Sequence, residues 1–137
     1  MQVIPRWRPS GDQPITGGIV SGKIILVALR HQIVKLKLVP DEISQNMTIV
    51  QSTVIQLDAE PSCFYTIPSF VSTQPFVLIG TYESTVLLLS LDKDEIVWSM
   101  KLDRYNDQGL TVLSSFGFVQ ELSTLFFLAG NTLKFNL

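Results

Sequence analysis

The chain has 137 residues, 46% of them hydrophobic and 16% charged, with a net charge of −2 and a mean hydropathy of +0.32. One ordinary domain fits that length, and the apolar excess calls for a closed core, a partner or a larger parent chain. A pI near 5.2 leaves no broad basic field to collect phosphates, which disfavours direct nucleic-acid binding.

The first segment, MQVIPRWRPSGDQP (1–14), lacks the apolar centre of a signal peptide and reads as an irregular lead-in. Trp7 is placed to staple it to the strands that follow, with a linear recognition motif as the alternative. From residue 15 onward the apolar runs are short, rich in Val, Ile, Leu, Phe and Thr, and broken by turn residues at intervals of roughly 8–12. That pattern predicts an all-β chain of antiparallel neighbours. ITGGIVS (15–21) is the first strand, IILVALRHQIVKLKL (24–38) a hairpin and TIVQSTVIQL (48–57) a fourth strand. SCFYTIPS (62–69), FVLIGTYESTVLLLSL (76–91) and EIVWSMKL (95–102) repeat the scheme. LTVLSSFGFV (110–119) and LFFLAGNTLKFNL (125–137) begin it a third time, with no fourth strand.

The three hairpins align with one another. Each has a bulky apolar run, then a small residue (Ala28, Gly80, or Ala129 with Gly130), a polar turn and an alternating strand. Leu36/Leu38, Leu89/Leu91 and Phe135/Leu137 hold matching places. The interval of roughly 50 residues is close to the ~40–50 of one β-propeller blade. The expected fold is a segment of a WD40-like β-propeller with about three four-stranded blades, over 15–57, 60–102 and 110–137, the last incomplete. The small residues are then explained by crowding where inner strands converge on the central channel. Propellers typically close with about 4–8 blades. The expectation is therefore an arc from a longer protein that folds poorly alone, the alternative being an open sandwich or barrel of the same strands.

Few residues carry chemistry. His31 is the single histidine, at a hairpin tip beside Arg30, with no nucleophile elbow to accompany it. Cys63, the single cysteine, permits no disulfide within one chain and reads as a small buried hydrophobe. Asp41/Glu42 and Asp92/Asp94/Glu95 fall in turns and lack the ligand spacing of a calcium loop. Asn46-Met47-Thr48 matches a glycosylation sequon by chance. No glycine-rich phosphate cradle occurs, and no apolar run approaches the roughly 18 residues of a membrane helix. We therefore expect no enzyme, no cofactor, no metal and no membrane, and a reducing, soluble compartment. Binding fares better, because a propeller sorts its loops onto faces. The turn between the second and third strands shares a rim with the connection from the fourth strand to the next blade. That rim gathers Arg30, His31, Tyr82, Glu83, Arg104 and Tyr105, and Tyr and Arg are the types that most often anchor interfaces.

Trp7-Arg8-Pro9, an apolar strand and then GKIILVALRHQIVKLKL resemble the second-propeller region of the damaged-DNA-binding protein large subunit. ISQNMTIVQSTVIQLDAEPSCFYTI, FVLIGTYESTVLLLSL and LFFLAGNTLKFNL continue the similarity across most of 5–137. The superfamily also holds the large subunit of the cleavage and polyadenylation factor and a subunit of splicing factor 3b. Where its hairpin has Gly-Asp-Gly, this chain has Gly130-Asn131-Thr132, keeping one glycine. The resemblance implies a non-enzymatic scaffold of nuclear, and also cytoplasmic, location whose partners are protein subunits. The leading expectation is an adaptor in a cullin-based ubiquitin ligase linked to DNA repair or chromatin, with a cullin or substrate receptor as partner. The rival is a scaffold of splicing or 3′-end processing. A fragment of an enzyme propeller is the alternative of another class.

Overall fold

A computed structural model describes residues 6–44, 46–69, 71–101, 113–122, 124–129 and 132–136. The described chain is all-β, with no α-helix, and falls into two compact units, Met1–Asp58 and Ala59–Leu137. No helix among the described residues is long and apolar enough to cross a membrane.

The first unit is one antiparallel sheet of four strands in sequence order: β1 (Gly17–Ser21), β2 (Ile24–Leu29), β3 (Gln32–Pro40) and β4 (Met47–Gln56). Short connections between strands of alternating polarity dictate that meander, because antiparallel neighbours need only a tight turn. The middle strands are buried on both faces. Val27, Leu29, Val34 and Leu36 form a cluster on one face, against which Trp7, Ile25 and Ile49 pack. Leu26, Ala28, Ile33 and Ile55, of opposite parity, are buried on the other. Trp7 thus ties the lead-in to the sheet, after which the chain makes a short 3-10 turn at Ser10–Asp12. At Gly18 a β-carbon would meet the Leu26 carbonyl oxygen at 2.6 Å, so the β1 backbone lies too close to β2 for any side chain.

The second unit holds two sheets. Strands β5 (Pro61–Thr66), β6 (Phe76–Thr81), β7 (Thr85–Ser90) and β8 (Glu95–Lys101) form another four-stranded meander in sequence order. Strands β9 (Leu113–Val119), β10 (Thr124–Ala129) and β11 (Thr132–Asn136) form a three-stranded one. β9 lies against β5 and β6. Leu78 and Val86 centre a cluster there that takes in Cys63, Tyr65, Ile67, Leu88, Met100 and Phe116. The Tyr65 and Phe116 rings meet at 6.4 Å, tilted by 41°, a separation at which aromatic pairs attract beyond their buried area.

The two four-stranded sheets share a further detail. β3 and β4 shift register between Lys35 and Leu36, where Ser52 is the extra residue; β7 and β8 shift between Leu88 and Leu89, where Val97 is. Leu36 and Leu89 occupy the same place in the sequence repeat, so the β-bulge falls at one repeat position in both sheets. A bulge reverses the alternation of the strand that carries it. Trp98 therefore pairs with Leu88 and Ile96 with Leu89, on opposite faces, although two residues apart. Trp98 and Ser99 still face opposite sides, opposite Leu88 and Leu87; only Val97, the surplus residue, interrupts the alternation.

The small residues Ala28 and Gly80 lie on the second strands, in the hairpins where the sequence places them. Ala28 is flanked by Gly17 and Ile33, and Gly80 by Cys63 and Val86. Both are buried, so their size answers local packing beside a bulky residue of the third strand.

Two substitutions test this packing. Gly18→Ala, forced against backbone rather than a yielding side chain, is expected to cost roughly 1–3 kcal/mol in urea unfolding. The Thr66 hydroxyl is buried with no hydrogen-bond partner among the described residues. Thr66→Val, which keeps the shape and removes that oxygen, should leave stability unchanged or raise it by about 1 kcal/mol in the same measurement.

Candidate functional site

The hairpin tips that carry the rim residues are built by different means. In the first unit Arg30 and His31 join β2 to β3 between the paired Leu29 and Gln32, and both are exposed. Arg30 has φ 59°, the left-handed region in which a β-carbon is crowded and which glycine fills most easily. Hydrogen bonds hold the tip from two sides. The Arg30 N–H donates to Thr16 Oγ1 at 3.3 Å, and that hydroxyl donates to the Ala28 carbonyl at 3.2 Å. On the other side the Leu57 N–H donates to the His31 carbonyl at 2.7 Å.

In the second unit the β6–β7 tip is organised by a threonine. Thr81 is fully buried; its hydroxyl accepts the N–H of Glu83 at 3.2 Å and of Thr85 at 3.1 Å, and bonds to the Thr85 hydroxyl. The Tyr82 N–H donates to the Glu60 carbonyl at 3.0 Å. Ser84, buried, takes φ 62° and closes the turn, leaving Tyr82 and Glu83 exposed. The structure thus brings Arg30 together with His31, and Tyr82 with Glu83, one pair in each unit. Arg104 and Tyr105 lie outside the described residues.

Around the first tip lies an open groove of about 620 Å³. Gly11, Gln13 and Pro14 of the lead-in line it together with Leu29, Arg30, His31, Gln32 and Gln56. Gln32 and Gln56 are register partners across β3 and β4, and Gly11, at φ 75°, turns the lead-in toward them. Sequence reading found the tip and missed the groove, because three separated glutamines form no motif. Only strand pairing makes neighbours of two of them.

The other polar candidates are local structure. Asp41 accepts the Ile43 N–H at 3.1 Å and the Ser44 hydroxyl at 2.8 Å, closing the turn before β4. The Ser44 hydroxyl first, and then the Ile43 N–H, hold the Asp41 carboxyl below its ordinary value. In the β7–β8 turn the Lys93 N–H donates to Ser90 Oγ at 3.2 Å and the Asp94 N–H to the Ser90 carbonyl at 2.9 Å. Among the described residues no group of three His, Cys, Asp or Glu could hold a metal ion. Asn46 of the sequon gives its carbonyl to the Asp41 N–H at 2.7 Å, and Thr48 donates its hydroxyl to the Val39 carbonyl at 3.1 Å. Trp98 is 44% exposed on β8, an edge of its sheet.

Cys63 is half-buried on β5, beside the Leu78 and Val86 cluster. Burial pushes its thiol up, outweighing the Ser62 hydroxyl and the Gly80 backbone, which act the other way. Compared with scanned protein-family models the chain matches none, and no curated protein matches it. The raised thiol gives a test: less thiolate is present in the folded chain at any pH below that pKa. Alkylation of Cys63 by iodoacetamide near pH 8 should be markedly slower in the native chain than in the urea-unfolded one, and equal rates would contradict it.

Proposed function

We propose that the chain is a segment of a WD40-like β-propeller scaffold that holds other proteins together and catalyses no reaction. The observation that carries this reading is the repeated sheet. Two four-stranded meanders have the same strand order and a bulge at the same repeat position, as successive blades of one propeller would. Within the second unit, β9 lies against β5, so the first strands of two successive sheets adjoin. That contact is the one expected of neighbouring blades. Each hairpin tip, clamped by hydrogen bonds to residues outside it, suits rigid presentation of its own pair, Arg30 and His31 in the first unit and Tyr82 and Glu83 in the second.

The partner is proposed from the resemblance to the damaged-DNA-binding protein large subunit: a cullin, which the scaffold links to substrate receptors in the nucleus. Biolayer interferometry of the tagged chain against a purified cullin N-terminal domain tests it. Micromolar or tighter binding, weakened at least tenfold by the paired change Tyr82→Ala and Glu83→Ala, is the expected result. Absence of cullin binding, with splicing or 3′-end-processing subunits bound instead, would keep the scaffold and overturn the ubiquitin-ligase assignment.

A further inference from the structure

The groove beside Arg30 has a chemistry of its own. The charged side chain that lines it is that of Arg30. Three glutamines, Gln13, Gln32 and Gln56, give it amide groups that can both donate and accept, while Pro14 and Leu29 add apolar surface. Among the described residues no ion pair or side-chain hydrogen bond engages the Arg30 guanidinium; only its backbone N–H is used, by Thr16.

Arg30 also stands where an arginine is costly. At φ 59° a glycine would sit without strain, and a residue held in this region costs on the order of 1 kcal/mol or more. Its own N–H, donated to Thr16 Oγ1, and the Leu57 N–H, donated to the neighbouring His31 carbonyl, hold the tip there. A strained, clamped tip carrying an uncommitted guanidinium beside a polar groove is built to present that group to a ligand.

We propose that this groove binds an acidic peptide segment, with the Arg30 guanidinium taking a glutamate or aspartate side chain and the glutamines taking the peptide's backbone amides. A guanidinium fork matches a carboxylate through two parallel hydrogen bonds. A single arginine suits a monoanion; phosphorylated peptides are usually met by clusters of arginines. The His31 imidazole, on the same tip, can add one further ring N–H donor. The inference rests on the reading of the chain as a protein-binding scaffold and names the partner chemistry at one of its tips.

The test is a titration of the ¹⁵N-labelled 137-residue chain, followed by amide shifts, with the peptide acetyl-Ser-Gly-Glu-Gly-Ser-amide and its glutamine counterpart. Saturable shifts at Arg30, His31, Gln32 and Gln56 with the glutamate peptide, at least tenfold weaker with the glutamine one, are expected. Arg30→Gly removes the guanidinium while suiting the turn, so its melting temperature should be unchanged or higher and its peptide binding lost at least tenfold. Arg30→Lys, which keeps the charge and loses the fork, should fall between. Equal binding of both peptides, or full binding by Arg30→Gly, would overturn the proposal. Equal binding of both peptides by a chain that still binds the cullin would overturn this proposal and leave the scaffold reading standing, so the two readings are separable. Shifts with a phosphoserine peptide in place of the glutamate peptide would also overturn it, in favour of a phosphate ligand.

Discussion

The structure depends on one constraint: its central strands are apolar on both faces. A sheet with one wet face can stop at a single layer, but one built on β2 or β6 cannot, since either face left open would put Leu, Ile and Val into water. Each fully exposed side chain of that kind forfeits roughly 1.5–3 kcal/mol of burial. Layers must therefore be added on both sides of every such sheet. On the first sheet the lead-in supplies part of one cover through Trp7; in the second unit β9 and its Phe116 cover the Leu78 and Val86 face.

The demand also explains what was legible in the sequence. Uninterrupted apolar runs such as IILVAL and FVLIGT mark strands buried on both faces, and the turn residues between them fix where each hairpin folds back. Among the described residues, the eleven strands each overlap a segment read from pattern alone, differing by a few residues at their ends. β1 starts at Gly17 rather than Ile15, although the Thr16 N–H still donates to the Ala28 carbonyl and prolongs the pairing. The bulges were not legible. One extra residue in a strand leaves composition and period almost untouched, and only the pairing shows that Ser52 and Val97 are surplus. The smallness of Ala28 and Gly80 is visible in sequence; their cross-strand neighbours, Gly17 and Ile33 for one and Cys63 and Val86 for the other, show only in the pairing.

The tips show the same division. That Arg30 and His31, or Tyr82 and Glu83, occupy turns follows from their setting between alternating strands. How the turns are held does not. One relies on Thr16 and Leu57, distant in sequence, and the other on Thr81 beneath it. A left-handed arginine leaves no signature in a sequence, because nothing in Leu-Arg-His-Gln announces a positive φ. The groove beside it was invisible for want of any contiguous motif.

The bulge in β4 has a consequence for solubility. The strand reads Ile49-Val50-Gln51-Ser52-Thr53-Val54-Ile55, nearly the same in either direction about Ser52, and it carries neither charge nor proline. Two copies of such an edge, laid antiparallel about a two-fold axis at Ser52, would match Ile49 with Ile55 and Val50 with Val54, a template for self-association. The surplus residue sits at the centre of that symmetry. It places Ile49, opposite Leu38, on one face of the sheet and Ile55, opposite Ile33, on the other. The palindrome in the letters is thereby broken in space, and an edge that would invite its own twin presents mismatched faces to it.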